Sequence, residues 1–255
     1  MTCPDLVERV IGEQPYPFIF VTLSGAHLYG FASPDSDYDI RGCHVLPAHE
    51  VVGLDKGPET IDNTILRDGL ELDVVSHDAE KFFGMLLKKN GYVLEQVFSP
   101  LVLRGGEDHE RLRAIAGECI TKRHAHHYLG FARGQWELFA KETPPRIKPL
   151  LYIYRVILTG IHLLRTGRVE ANLAVLNESF RLSFIGDLIA QKREGAEKAM
   201  LADADVAFHR SQYEGLMESL MDARQLSKLP EAPSARRDLH DFLVELRLRK
   251  DAASS

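Results

Sequence analysis

The sequence predicts an α+β fold, in which an N-terminal part that contains strands is followed by an all-helical C-terminal part. Two observations lead to this prediction. Short apolar runs rich in β-branched residues are concentrated before Gly105, and such runs are typical of strands. After Gly106 the apolar residues recur at helical spacing, and few strand signals remain. We therefore predict two domains, residues 1–105 and residues 106–255.

The N-terminal domain is predicted to begin with an amphipathic helix and then to alternate strands with helices. Gly or Pro residues end several of these predicted elements. Ser76 or Asp78 is a candidate N-cap for the predicted helix over residues 78–89. The predicted helices cover residues 4–14, 78–89 and 92–98. The predicted strands cover residues 17–23, 37–46, 60–66, 70–76 and 101–103.

The C-terminal domain shows the helical period almost throughout, without an internal repeat. The predicted helices cover residues 108–120, 123–141, 147–166, 172–180, 184–193, 200–225 and 234–250. Residues 251–255 are small, polar and terminal, and we expect them to fray.

The strongest chemical signal lies in residues 23–42. Asp37 and Asp39 are two residues apart in a predicted strand, so both side chains point to the same face of the sheet. Neighbouring carboxylates repel each other, and a divalent cation such as Mg²⁺ is the usual compensation. Gly25 lets the backbone approach a phosphate closely. This order predicts phosphoryl or nucleotidyl transfer, although an isolated Asp-x-Asp pair is more often a solvated loop.

Residues 25–42 also carry a longer pattern, Gly-x-His-x-Tyr-Gly-x-x-x-Pro-x-Ser-Asp-x-Asp-x-Arg-Gly. This pattern resembles the signature of the DNA polymerase β superfamily of nucleotidyltransferases, and within it the YcgL-type and RNA-repair-associated polymerase β-like proteins. The resemblance covers residues 18–104 and, more loosely, residues 122–168. It implies a palm-like mixed sheet with flanking helices, followed by a helical domain that closes the active-site cleft.

The resemblance also implies an activity, the two-metal transfer of a nucleoside monophosphate from an NTP to a hydroxyl, with Mg²⁺ or Mn²⁺ as cofactor. It assigns catalytic and metal-binding roles to Asp37, Asp39 and Asp73, the last of which lies on another predicted strand. Glu71 shares a face with Asp73 and is the competing choice. Both residues could instead form the wet face of an edge strand.

The same resemblance places the phosphates of the nucleotide against Ser24, Gly25, Ala26 and His27. The family usually has serine where this chain has Ala26, and the missing hydroxyl is expected to weaken nucleotide binding or activity. A nucleotide-binding module with reduced catalysis is therefore an alternative. His27 either reaches the phosphates or packs beneath the loop, and Tyr29 is expected in the core.

The predicted helix over residues 147–166 is apolar almost all round and should be buried. Its polar residues nevertheless form one stripe, made of Lys148, Tyr152, Arg155, Thr159 and His162. A polar stripe on a buried helix needs a partner or a wet cleft. Lys148, Tyr152 and Arg155 are therefore predicted to bind the nucleotide, and pairing with acids of neighbouring helices is the alternative.

The segment Lys-Arg-His-Ala-His-His-Tyr, residues 122–128, is a second polar feature of this half. His124 and His127 share a helical face, but no fixed third ligand for a metal is visible. Contact of Lys122, Arg123 and His127 with phosphates or RNA is one interpretation, and a solvated helix face is the other.

Composition limits the partners and the compartment. The 255-residue chain has a formal net charge of −6, so binding to RNA requires a local basic patch. The three separated cysteines form no zinc motif and fit a reducing cytoplasm. The N-terminus lacks signal-peptide features, and the apolar segment 150–164 is too short for a membrane span. An RNA 3′ end, a protein and a small molecule are the alternatives for the acceptor.

Overall fold

The computed structural model describes residues 5–67, 69–194 and 206–252, with side chains to residue 249. A five-stranded mixed sheet in the N-terminal part and helices in the C-terminal part confirm the predicted α+β class. The strands are β1 (Phe18–Leu23), β2 (Tyr38–His44), β3 (Thr60–Arg67), β4 (Leu70–Asp78) and β5 (Val102–Arg104). Each of them lies within a few residues of a predicted strand.

The described helices also follow the predicted pattern, with two short additions, α2 and α3. They are α1 (Asp5–Gly12), α2 (Gly25–Tyr29), α3 (His49–Val52), α4 (Ala79–Leu86), α5 (Gly91–Val97), α6 (Glu107–Gly117), α7 (Ala125–Phe139), α8 (Ile147–Thr166), α9 (Leu173–Phe180), α10 (Ser183–Glu194), α11 (Val206–Leu226) and α12 (Arg236–Ala252). The predicted helix over 200–225 is seen from Val206, and its earlier residues lie outside the described residues.

The sheet has the strand order β3-β4-β2-β1-β5. Strands β2 and β4 run parallel, and all the other neighbouring strands are antiparallel. Because side chains alternate across a strand, residues of β2 and β4 at the same register position point to the same face and lie side by side.

One face of the sheet is covered by α1, which packs its apolar stripe against the strands. The members of this core are Leu6, Val7, Val10, Ile11, Val21, Ile40, Leu72 and Val74. Alternation sends the intervening residues of β2 and β4 to the other face, and Asp39 and Asp73 there are partly exposed. The burial pattern thus fixes which face carries the acids.

Two side chains cap the helices that lie between β4 and β5 in the sequence. The carboxylate of Asp78 accepts a hydrogen bond from the Glu80 N–H at 3.0 Å at the start of α4. The amide oxygen of Asn90 accepts one from the Tyr92 N–H at 3.0 Å at the start of α5. These bonds satisfy N–H groups that have no partner inside the helix.

The chain divides into two compact units whose segments are interleaved in sequence. The sheet unit takes the described residues within Met1–Gly25, Asp37–Cys119 and Pro233–Ser255, and the helical unit takes those within Ala26–Ser36 and Ile120–Ala232. The functional boundary at Gly105–Gly106 stays a prediction.

Helix α8 is the central helix of the helical unit. Of its twenty residues, most are buried, and it ends at Gly167 in the left-handed conformation. Among the described helices it is the one long and apolar enough to cross a membrane, but 78% of its apolar window is buried inside the protein. A buried core helix of this length passes the same test, so the helix is weak evidence for a membrane span.

Candidate active site

The candidate site is built on the parallel pair formed by β2 and β4. Asp39 and Asp73 are register partners in this pair, so their side chains stand next to each other on one face of the sheet. The side chain of Asp39 is 26% exposed and that of Asp73 is 33% exposed. Two of the three acids singled out in the sequence are therefore neighbours and reachable from solvent.

Arg41, two residues after Asp39 on the same face of β2, joins the two carboxylates. Its Nη2 donates to Asp39 Oδ1 and to Asp73 Oδ2, both at 2.8 Å. Its Nη1 donates to the carbonyl oxygens of Asp73 at 2.7 Å and of Ile40 at 3.0 Å. No local pattern in the sequence indicates the contact of Arg41 with Asp73, because the two residues are 32 positions apart.

Gly25 follows β1 and lies directly against Asp39. Its φ is +58°, and a Cβ built on it would stand 1.7 Å from Asp39 Oδ2. The preceding Ser24 N–H donates to the Asp39 carbonyl oxygen at 2.8 Å. Only glycine combines this backbone conformation with this close approach.

The remaining residues of the predicted phosphate cradle differ in their surroundings. The chain forms the short helix α2 here, where we expected a loop from the sequence. Ser24 and Gly25 belong to the sheet unit together with the acids, whereas Ala26 and His27 belong to the helical unit. Ala26 is buried and His27 is partly exposed. A role of these four residues in nucleotide binding stays a prediction.

Asp37 precedes β2 and is partly exposed. Within residues 5–67, 69–194 and 206–252, no group of three or more His, Cys, Asp or Glu side chains lies close enough to hold a metal. The structure therefore brings Asp39 and Asp73 together through Arg41, and it does not place Asp37 with them as a preformed three-carboxylate site.

The polar stripe of α8 packs against the segment that follows Gly25. Arg155 is fully buried, and its guanidinium lies 3.8 Å from the centre of the Tyr29 ring. Tyr152 contacts the rings of Tyr29 and Phe31 edge-on. Tyr29 is buried, as expected from the sequence, but its role as the aromatic partner of a buried cation was not foreseen. Lys148, on the same stripe, is partly exposed.

The segment around His124 has mainly structural contacts. His124 is buried and hydrogen-bonded to Thr121, and burial lowers its pKa. Burial first, and then the charge of Arg155 and the neighbouring His124, lower the pKa of His127 to about 4, so His127 is neutral at pH 7. A neutral imidazole adds no positive charge for phosphate or RNA.

The two cations of this segment share one acid. Lys122 Nζ is 2.9 Å and Arg123 Nε is 3.8 Å from carboxylate oxygens of Glu231. The surface that the sequence suggested as a basic patch is thus partly neutralised.

Three residues from more distant parts of the helical unit hold the motif segment 26–36. Lys192 Nζ donates to Ser33 Oγ at 2.7 Å, and Arg193 donates to the Gly30 carbonyl oxygen at 2.8 Å. The side chain of Asn172 lies so close to Gly30 that a Cβ there would stand 2.3 Å from its Oδ1. No local sequence signal connects these residues with the motif, because their partners are more than a hundred positions away.

The comparison with known families settles the membership of the chain. A sequence model of the RNA repair pathway DNA polymerase beta family, RlaP, matches residues 3–245. The chain belongs to the RlaP family. The resemblance identified in residues 18–104 and 122–168 is thereby confirmed, and the RlaP match extends through most of the C-terminal half.

Two curated proteins are similar to this RlaP chain. The uncharacterized protein MJ0002 of Methanocaldococcus jannaschii is 38% identical over 156 residues, which cover 60% of this chain and 63% of that protein. This alignment thus spans less than two thirds of that relative. The uncharacterized protein YcgL of Bacillus subtilis is 24% identical over 235 residues, covering 88% of this chain and 89% of that protein.

Among solved structures, a nucleotidyltransferase-like protein from Exiguobacterium sibiricum is similar to this chain. The alignment covers 87% of this chain and 73% of that protein's chain. The sequence identity is 13% and the TM-score is 0.33.

Proposed function

We propose that this RlaP-family chain is a nucleotidyltransferase that moves a nucleoside monophosphate from an NTP to a hydroxyl acceptor by a two-metal mechanism. The observation that carries the proposal is the register of Asp39 with Asp73 on parallel strands, with Gly25 against Asp39. Membership of a polymerase β family supports the same reaction class.

The donor set of the site fits a hard divalent cation. Mg²⁺ takes one or two carboxylates and completes its octahedron with water and substrate phosphates. Asp39 and Asp73 offer two adjacent carboxylates, and Asp37 is proposed to add a third ligand. Bound there, Mg²⁺ or Mn²⁺ would supply positive charge to the phosphates.

In the proposed reaction the acceptor hydroxyl oxygen forms a bond to the α-phosphorus of the NTP. The bond between that phosphorus and the β-phosphate oxygen breaks, and pyrophosphate leaves. Asp73, on the face shared with Asp39, is proposed to take the proton of the attacking hydroxyl or to hold the second metal.

The triphosphate is proposed to contact Ser24, Gly25, Ala26 and His27 through backbone N–H groups, because these are suitable donors to phosphate oxygens. Lys148, Tyr152 and Arg155 are proposed to bind the nucleotide from α8. Lys148 and Tyr152 are the more accessible of the three candidates, because both are partly exposed, whereas Arg155 is fully buried against the Tyr29 ring.

An RNA 3′ end is the acceptor that we propose first, because the name of the matching family refers to an RNA repair pathway. A protein or small-molecule hydroxyl is the second candidate. The net charge of −6 and the pairing of Lys122 and Arg123 with Glu231 favour it, because both reduce attraction to a polyanion. Cys43 and Cys119, the cysteines among the described residues, are buried free thiols; they agree with a reducing compartment, and we propose the cytoplasm.

The acceptor is identified by incubating the purified protein with α-labelled NTPs and Mg²⁺, with and without RNA. Label on RNA supports the first candidate, and label on the protein itself or on an added small molecule supports the second. Absence of label on every species, together with measurable NTP binding, would indicate a nucleotide-binding module and would overturn the proposed transfer.

Replacement of Asp39 by Asn is the matched test of the site. Asp39→Asn keeps the shape of the side chain but removes the charge, and we expect labelling to fall at least about a hundredfold. Circular dichroism checks that the variant is folded. If Asp39→Asn labels as well as the parent protein, the assignment of the site is wrong.

A further inference from the structure

Arg41 uses the same carboxylate oxygens that a divalent cation needs. One guanidinium nitrogen bonds both Asp39 Oδ1 and Asp73 Oδ2 at 2.8 Å, and the other bonds the Asp73 carbonyl oxygen. The Arg41 side chain is 19% exposed, so its charge is only partly screened by water. The guanidinium therefore compensates the repulsion between two carboxylates that the parallel register forces together.

The second oxygen of Asp39 is hindered on the side of β1. Asp39 Oδ2 lies so close to Gly25 that there is no room for even a Cβ atom between them. The other oxygen of Asp39, Oδ1, is bonded to the same Arg41 nitrogen that bonds Asp73 Oδ2. A cation shared by Asp39 and Asp73 must therefore compete with Arg41 for this oxygen.

We propose that Arg41 is a built-in counter-ion of the site, which holds Asp39 and Asp73 in register without metal and competes with a divalent cation for their oxygens. This inference rests on the proposed function, because that function places the cation there. It makes Arg41 a positioning residue. The consequence is that free metal binds weakly, and that the cation is held well only when nucleotide phosphates supply further ligands.

The binding of Mn²⁺ alone tests the competition. The free Mn²⁺ signal in electron paramagnetic resonance gives the dissociation constant of the parent protein and of Arg41→Gln. The matched control is Arg67→Gln, which removes the same charge from β3, where Arg67 pairs with the exposed Glu13. We expect Arg41→Gln to bind Mn²⁺ at least about fivefold more tightly than both the parent and Arg67→Gln.

An unchanged or weaker affinity in Arg41→Gln would overturn the inference, because it would mean that Arg41 does not compete. If Mn²⁺ binds all three proteins equally, only the inference about Arg41 fails and the proposed function stands. If Mn²⁺ binds none of them, with or without NTP, the metal site of the proposed function fails as well.

The counter-ion role has a second readout that needs no metal. Urea unfolding in EDTA compares the parent, Arg41→Gln and the double variant Arg41→Gln/Asp73→Asn. We expect the midpoint to fall in Arg41→Gln and to recover in the double variant, because removing one carboxylate charge removes the repulsion. No recovery would overturn the role, because loss of the bonds to the carbonyl oxygens of Asp73 and Ile40 would then explain the effect.

Arg41→Lys is the variant to use if Arg41→Gln does not fold. Lysine keeps the charge but lacks the planar fork that reaches both carboxylates at once. We therefore expect Arg41→Lys to bind Mn²⁺ more tightly than the parent, and an equal or weaker affinity would contradict the competition.

Discussion

Gly25 brings the backbone directly against the Asp39 carboxylate. Its left-handed conformation and its contact with Asp39 Oδ2 are independent reasons for glycine at this position. The sequence predicted the close backbone approach, but it placed a phosphate rather than a carboxylate against this glycine. Both partners would present oxygen atoms to the backbone, so the pattern alone could not distinguish them.

Gly25→Ala tests this contact. The methyl group would collide with the Asp39 carboxylate and strain the backbone, so we expect a loss of about 1–2 kcal/mol of unfolding free energy and at least a tenfold loss of nucleotidyl transfer. Urea denaturation and the labelling assay measure the two effects. Gly84→Ala is the control, because Gly84 lies inside α4 with open space around its Cβ position and should be slightly stabilised.

Ala26 stands where the resemblance described for residues 25–42 implies a serine. We expect Ala26→Ser to bind NTP about threefold to tenfold more tightly, because the added hydroxyl can donate to a phosphate oxygen. Fluorescence titration with a labelled NTP gives the affinity. Equal affinities of the parent and Ala26→Ser would show that the hydroxyl is irrelevant in this chain.

At the scale of elements, α12 is attached to the sheet unit through a buried ion pair. Arg247 donates through Nη1 to the Leu46 carbonyl oxygen at 2.6 Å and to Asp78 Oδ1 at 2.8 Å. Burial alone would raise the pKa of Asp78, but the hydrogen bonds from Arg247 and from the Leu46 N–H hold it below its ordinary value. The sequence predicted both α12 and the Asp78 cap from local spacing, yet the pair joins positions 169 residues apart and has no local signal.

Arg247→Met tests the ion pair. The substitution leaves Asp78 charged and buried without its cation, so we expect a loss of about 3–5 kcal/mol in the free energy of unfolding at pH 7. The control is Arg249→Met, which removes a half-exposed pair with Asp108 and should cost less than about 1 kcal/mol. Chemical denaturation measures both variants, and equal losses would contradict the structural role of Arg247.

At the scale of the whole molecule, buried histidines make stability depend on pH. Burial lowers the pKa of His44, His77, His109, His124, His127 and His162. A histidine whose pKa is lower in the folded state binds fewer protons there than in the unfolded chain. Its stabilising effect is complete above the unfolded pKa of about 6.5 and is lost as the pH falls toward the folded pKa.

His127 gives a test of this dependence with a matched control beside it, because its folded pKa is about 4 and His126 is its neighbour on the same helix. Between about pH 6.5 and about pH 4 it should contribute on the order of 2 kcal/mol to the loss of stability of the parent protein. His127→Gln should flatten the fall in stability over this range, as measured by urea unfolding at a series of pH values. His126→Gln, at an exposed position of the same helix, is the control and should follow the parent curve.

The whole-molecule scale is also where the sequence was least informative. Hydrophobic period and turn residues predicted the strands and most helices, because these depend on local spacing. The register that places Asp39 beside Asp73 depends on a parallel pairing between strands that are not consecutive, and the contacts of Lys192 and Asn172 join distant helices to the motif. Such long-range pairings leave no periodic trace in one sequence.

The attachment of α12 to Asp78 has a practical consequence for fragment work. A recombinant piece that stops at Gly105 would expose the carboxylate that Arg247 neutralises in the intact chain. A fragment meant to keep this ion pair would therefore have to retain the helix over Arg236–Ala252 together with the sheet.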